Sequence, residues 1–154
     1  MDRHLLIVTL IALLIMIYAM NVYLDTYSML LQTEIKATIK EARFEDEKLL
    51  VKISIKIKGK GRSFTPERLR YDLWLNRKYI AEDTIEELPT IKPDQEILIE
   101  RTLEVPQERM FTVREAIESK KWSWRISGSI LVLTFHGETI LRFEGEAELP
   151  PISH

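Results

Sequence analysis

The sequence predicts a mostly β protein: seven strands in an antiparallel two-sheet sandwich, with one short helix, behind an N-terminal transmembrane helix. Three observations predict it. Residues from Leu5 to Leu24 are apolar apart from Thr9 and Asn21. From Glu34 onward apolar side chains recur at every second position. Turn residues then interrupt that alternation at short, regular intervals, leaving room for a helix at only one place.

The apolar run comes first. As a helix, 20 residues rise about 30 Å, the thickness of a hydrocarbon core. Tyr18, Tyr23 and Tyr27 crowd its downstream end and mark a membrane interface, where phenol rings keep their bodies in lipid and their hydroxyls among headgroups. Asn21 lies between them and reads as a polar residue at headgroup level. The run exceeds the roughly 7 to 15 apolar residues of a signal peptide, and no small-x-small cleavage site follows, so the segment is expected to be retained. Without cysteine, no lipid-modified terminus can replace it. Arg3 stands on one side of the span, and Lys36, Lys40 and Arg43, interleaved with Glu34 and Glu41, on the other, so the charge rule does not orient it. A head of residues 1–4 is easily kept in the cytoplasm, and long folded segments translocate regardless of charge. The expected location is therefore the cell membrane, single-pass, with the C-terminal domain extracytoplasmic. Leu24, Tyr27 and Leu31 keep helical spacing, so residues 25–33 are expected to prolong the helix as a stalk.

The domain itself is expected over residues 34–150, with 151–154 as a tail. Ile35, Ala37 and Ile39 alternate with lysines and Thr38; after the polar turn Glu45 to Lys48, Leu49, Val51, Ile53, Ile55 and Ile57 alternate with Leu50, Lys52, Ser54, Lys56 and Lys58. These are two half-buried strands of a hairpin. Pro66 precedes a third strand with Leu69, Tyr71, Leu73 and Leu75 on one face, and Asn76-Arg77-Lys78 turns it into a fourth, Tyr79 to Asp83. Pro89 and Pro93 mark a loop before Ile97, Ile99, Leu103 and Val105 define a fifth strand, closed by Pro106. Thr112 with Glu115 three residues later predicts a capping box for a short helix through Ala116 and Ile117. In the sixth strand Trp122, Trp124, Ile126, Gly128, Ile130 and Val132 share one face, while Leu131, Leu133 and Phe135 share the other. That predicts a central strand buried on both faces toward its far end. The last strand follows His136-Gly137, with Leu141, Phe143, Ala147 and Leu149 inward and Arg142, Glu144, Glu146 and Glu148 outward, until Pro150-Pro151.

This order of features resembles the group-two late-embryogenesis-abundant proteins, also called the WHy (water stress and hypersensitive response) domain. The likeness spans Glu34 to Leu149 and rests on Leu69-Arg-Tyr-Asp-Leu-Trp-Leu-Asn76 followed by Tyr79-Ile-Ala-Glu-Asp83. Leu88-Pro-Thr-Ile-Lys-Pro93, the helix before Trp122, and Trp124-Arg-Ile-Ser-Gly128 add to it. Lys58-Gly-Lys-Gly61 departs from the Asn-Pro-Asn that many members carry, and Arg77 stands where a hairpin glycine is common. The resemblance implies an immunoglobulin/fibronectin-III-like sandwich without known catalysis, associated with desiccation or other stress. A membrane-anchored member is similar to forms in archaea and plants.

The chemistry-bearing residues point the same way. With 22 Lys plus Arg against 24 Asp plus Glu the net charge is -2, so no global field draws the chain to nucleic acid. The absence of cysteine removes thiolate catalysis, disulfides and Cys-based zinc sites. Charged residues make up 30% of the chain and lean toward a heat-adapted composition. His4, His136 and His154 lie too far apart in sequence to suggest a metal site, and no phosphate loop or nucleophile elbow occurs. Glu144, Glu146 and Glu148 read as a solvated sheet face, and Glu45-Asp46-Glu47 has too few ligands for tight calcium binding. No catalytic residue, cofactor or metal is therefore expected.

One cluster carries two meanings. Lys52, Lys56, Lys58, Lys60 and Arg62, followed by Arg68 and Arg70, could meet anionic headgroups or a protein partner. They could equally guard an exposed strand edge against aggregation, neutralised by Asp46, Glu47 and Asp72, and the slightly acidic domain favours the guard. The function expected is a non-catalytic, membrane-anchored domain with a stress-protective or protein-interaction role, its partners being the bilayer and other membrane or client proteins. The alternative is an accessory subunit of a larger membrane complex. A polymerising pilin-like subunit fits less well, because a glutamate early in the apolar helix is missing.

Overall fold

The structure is a computed structural model that describes residues 2–134 and 137–153. The expected places of Phe135, His136 and His154 lie outside the described residues. The first element, α1, runs Arg3–Leu31, through the whole apolar run and the expected stalk. It is long and apolar enough to cross a membrane, and every residue from Leu5 to Asn21 is exposed. Seven long strands follow: β1 (Glu34–Glu45), β2 (Lys48–Lys58), β3 (Pro66–Leu75), β4 (Lys78–Ile85), β5 (Glu96–Glu104), β6 (Ser123–Thr134) and β7 (Gly137–Glu148). A 3-10 turn, Gln107–Arg109, leads into α2, Met110–Ser119, between β5 and β6.

The strands form two sheets, ordered β5-β2-β1-β8 and β4-β3-β6-β7, where β8 is the pair Ile152–Ser153. The seven long strands pair antiparallel, whereas β8 lies parallel to β1 with Arg43 opposite Ile152. The expected tail is thus partly a strand, because the chain leaving β7 turns back over the far sheet's open edge. The inward residues of both sheets make one core: Leu49, Val51, Ile53 and Ile55 from one, Leu69, Tyr71, Leu73, Trp124 and Ile126 from the other. Burial recurs at every second position of β2 from Leu49 to Ile57 and of β3 from Leu69 to Leu75, with Ser54 of β2 buried as well. β6 is central, as expected, and the indole of Trp124 donates to the Leu149 carbonyl at 2.9 Å, tying down the end of β7.

Two expectations are corrected. The capping box is absent: α2 begins at Met110 without a side-chain cap, and Thr112 is buried in its first turn with no hydrogen-bond partner for its hydroxyl. The 3-10 turn before it already supplies the entry, so no cap is needed at Thr112. The outer face of β6 is not buried toward its far end either. Leu133 is 54% exposed, because no layer covers that face of the sheet.

Two hairpin turns place non-glycine residues at positive φ: Asp46 and Glu47 at 48° and 64°, Asn76 and Arg77 at 47° and 67°. Such turns match the strand twist, but a residue with a Cβ pays conformational energy there, asparagine least. The Arg77→Gly chain is expected to gain about 0.5 kcal/mol, the relief of roughly 1 kcal/mol of strain less the added freedom of the unfolded chain. A rise in the denaturation midpoint at unchanged slope checks this.

Candidate functional site

The end of the domain nearest α1 gathers most of the expected contact residues. Leu30, in the last turn of α1, is 3% exposed and belongs to the core, so the helix is seated in the domain rather than hung from it. Two segments hold it. On one side the loop after β2 brings the Arg62 guanidinium to the Asp25 carboxylate at 2.7 Å, next to Tyr18 and Asn21. On the other, Thr134, Glu138 and Thr139 of the β6–β7 hairpin line a crevice with Tyr23, Tyr27 and Leu30. Tyr23 and Tyr27 stack along the helix with ring centroids 6.3 Å apart.

The loop that carries Arg62 is itself fixed. Phe64 and Ile91 exchange backbone hydrogen bonds of 3.0 and 2.8 Å, Gly59 bridges to Pro93, and Phe64 and Ile91 fill the bottom of the core. This explains why Leu88 to Pro93 is neither strand nor free loop: it closes one end of the domain. Lys60 donates to Glu34 at 2.6 Å, and this ammonium holds the Glu34 carboxyl below its ordinary value.

The basic residues do not form one surface. Lys60 and Arg62 lie at the α1 end, paired as above, and Lys58 ends β2 beside Glu34. Lys52 and Lys56 stand higher on the outer face of β2, each 3.8 Å from a carboxylate of β5, Glu100 and Glu96. Lys48 with Glu104 at 3.0 Å continues the same diagonal ladder. Arg68 and Arg70 belong to the other sheet, where Arg70 meets Glu82 at 2.7 Å. The edge-guard reading fails, since β2 is hydrogen-bonded on both sides. The ion-pair partners are Glu100 and Glu96, diagonal across β5, with Glu34, Asp25 and Glu82 rather than Asp46 and Glu47, while Asp72 acts on Arg70 through its charge alone. Exposed pairs like these contribute little individually.

A second cluster sits at the open side between the sheets. Asp83 of β4 accepts from the Tyr71 hydroxyl at 3.2 Å and from Arg101 Nε of β5 at 3.0 Å, and its other oxygen accepts the Thr84 N–H. It joins the two sheets where β4 and β5 have no backbone pairing. Burial first, then the neighbouring Asp83 charge, push the Tyr71 phenol far above its ordinary value. The folded pKa lies above the unfolded one, so the stability from neutral Tyr71 is whole below about pH 10 and is lost as pH rises through the folded value. The alkaline limb of the unfolding curve is expected to flatten in Tyr71→Phe, as pH-dependent melting would show.

The far end carries a cleft of about 480 Å³ lined by Lys120, Lys121, Trp122, Glu148 and Pro150. Asn76 organises it, donating to the Lys121 carbonyl at 2.7 Å and accepting the Ser123 N–H at 3.0 Å. Trp122 stacks on buried Trp124, ring centroids 6.2 Å apart, and Phe111 and Ile117 of α2 are each 50% exposed nearby in the chain. Sequence reasoning missed this cleft and the Asp83 cluster, although Asn76, Asp83 and Trp122 lie in or beside the motifs quoted above. Glu144, Glu146 and Glu148 project outward as expected. Among the described residues no three His, Cys, Asp or Glu side chains gather as metal ligands would.

These features define a class: a two-sheet, mostly β domain seated on an apolar N-terminal helix. Several solved structures share the fold. An Archaeoglobus fulgidus protein superposes with a TM-score of 0.52 at 16% identity, over 75% of this chain and 94% of its own. An Arabidopsis thaliana protein solved in solution gives 0.56 at 10% identity, over 79% of each chain. A protein described as late embryogenesis abundant gives 0.50 at 14% identity, over 77% of this chain and 73% of its own. At such identities the likeness is one of fold, and it is consistent with a late-embryogenesis-abundant-like domain. No protein-family model matches the sequence, and no curated protein matches it.

Proposed function

We propose that this chain is a non-catalytic, membrane-anchored β-sandwich of the immunoglobulin/fibronectin-III-like type, a WHy-domain relative that protects or binds other proteins at the membrane surface. The observation that carries this reading is the seating of α1: Leu30 enters the core and Arg62 pins Asp25, which mounts the domain at the end of an apolar helix. A helix that only served as a cleaved leader would have no use for such a seat. The perturbed ionisable groups, Glu34, Arg70, Tyr71, Tyr79 and Arg101, owe their shifts to burial and to partners within the domain, as structural groups do. The fold shared with the late-embryogenesis-abundant protein supports a stress-related role; the extracytoplasmic side is favoured because long folded segments translocate largely regardless of charge.

The test uses the full chain in phospholipid vesicles. A labile enzyme dried or heated with these vesicles is expected to keep more activity than with protein-free vesicles; equal recovery overturns the protective part. The accessory-subunit reading is favoured by different observations, the far-end cleft beside Trp122 and the half-exposed Phe111 and Ile117 of α2. Extraction of the native protein in mild detergent separates the two: a stoichiometric partner supports a subunit, and a lone chain supports the self-sufficient domain.

A further inference from the structure

We infer that the β6–β7 hairpin is a second lipid contact, laying Leu131, Leu133 and Ile140 against the phospholipid headgroup boundary. The inference rests on the membrane anchoring proposed above and adds which face of the domain meets the bilayer. Leu133 and Ile140 are 54% and 57% exposed on the outer face of their sheet. Leu131 and Ile140 are register partners and Leu133 lies two residues along the same face, so the three make one patch. Away from the hairpin this face turns polar row by row: Ser129 opposite Arg142, Ser127 opposite Glu144, Arg125 opposite Glu146. The aliphatic residues of this face lie at the end that adjoins α1; at its other end Trp74 and Tyr79 pack edge to face, with Arg125 and Arg109 over their rings.

Depth places that end at the bilayer. Thr134 and Thr139 share a crevice with Tyr23, Tyr27 and Leu30, so the hairpin lies level with the last turns of the helix. If the segment from Leu5 to Leu24 fills the hydrocarbon core, Leu30 stands about 9 Å beyond it, while the headgroup layer on each side is about 5–8 Å deep. A hairpin alongside Tyr23 to Leu30 therefore overlaps that layer. Apolar side chains flanked by cations suit the headgroup and acyl boundary. Arg68 stands opposite Leu131, and Arg142 lies one row away, both exposed and placed to meet phosphates. Glu138, opposite Leu133, is the acidic exception on this edge.

Because the chain has no cysteine, single substitutions give unique labelling sites. Ile140→Cys, Glu146→Cys and Leu14→Cys chains, each carrying a small environment-sensitive fluorophore, are placed in phosphatidylcholine and phosphatidylglycerol vesicles. Some of the lipid bears a nitroxide near the top or near the end of the acyl chain. Both domain positions are exposed, so the substitutions do not burden the core. The label at position 140 is expected to be quenched by the shallow nitroxide at least about twofold more than the label at position 146. Equal quenching at the two overturns the inference. So does a label at 140 that is shielded from an aqueous quencher but untouched by lipid nitroxides, since that outcome assigns the patch to a protein contact. The label at position 14 separates the two claims: if the deep nitroxide does not quench it, the anchor itself fails.

Discussion

Replacing Gly145 with alanine is expected to destabilise the domain by about 3 kcal/mol or more, the upper end of overpacking effects. Gly145 lies in β7, where the two sheets meet β1 face to face, and a Cβ built on it would stand 2.0 Å from the Ala37 carbonyl oxygen and 3.3 Å from the Ala37 methyl. The obstructing atom is backbone in a paired strand, so relief requires moving β1 and with it the hairpin it forms with β2. A melting temperature lowered by roughly 10 °C in detergent checks the expectation. Gly137→Ala is the comparison: Gly137 has a φ of 117° but nothing within 4 Å of the added methyl, so only backbone strain is introduced. That chain is expected to lose about 1 kcal/mol. If both substitutions cost the same, the close approach of β1 and β7 is wrong.

The second large effect is expected at the seat of the helix. Leu30→Ala removes a side chain that is 3% exposed, and truncations of buried leucine cost about 2–5 kcal/mol. Part of that cost falls on the junction rather than on the whole domain, because Leu30 is contributed by α1 while the surrounding core comes from the strands. The chain between α1 and β1, Gln32 and Thr33, is therefore expected to become more sensitive to proteolysis in Leu30→Ala. Exposed Gln32→Ala should leave that rate unchanged. Unchanged cleavage in Leu30→Ala would show that the helix is not seated through this residue. Arg62→Ala provides a weaker version, since the Arg62–Asp25 pair is exposed and such pairs hold geometry more than they add stability.

The mounting of the domain matters for how it works. On the membrane anchoring proposed above, a domain gripped by Leu30, Asp25 and the hairpin end keeps one end toward the bilayer, whereas a flexible stalk would let it sample many heights. On that proposal the cleft beside Trp122 lies at the end of the domain away from the bilayer. The ion-pair ladder sets Lys48, Lys52 and Lys56 against Glu104, Glu100 and Glu96 on the outer face of β2 and β5.

Alternation of apolar and polar side chains is a local property of a strand, and it was enough to place the inward faces of β2, β3, β5 and β7, of β1 as far as Ile39, and the turns at Asp46-Glu47 and Asn76-Arg77, but not the inward face of β4, where Ile80 and Ala81 are buried in succession. Length and apolarity alone likewise mark the helix through Leu24. What alternation cannot report is which strand lies beside which. The partners of Lys52 and Lys56, the Tyr71–Asp83–Arg101 bridge, the burial of Leu30 and the exposure of Leu133 each depend on residues distant in the chain. Thr112 and Glu115 show the converse, a local signal overruled when the preceding turn and the packing of Val113 and Ala116 set where α2 begins. The sequence by itself thus determined the elements and the side of each that avoids water, because hydrophobic period is written residue by residue. Only the tertiary structure decided how charges pair, where the helix is gripped and which apolar residues stay uncovered, because those follow from register and sheet order, which bring together groups that no sequence spacing relates.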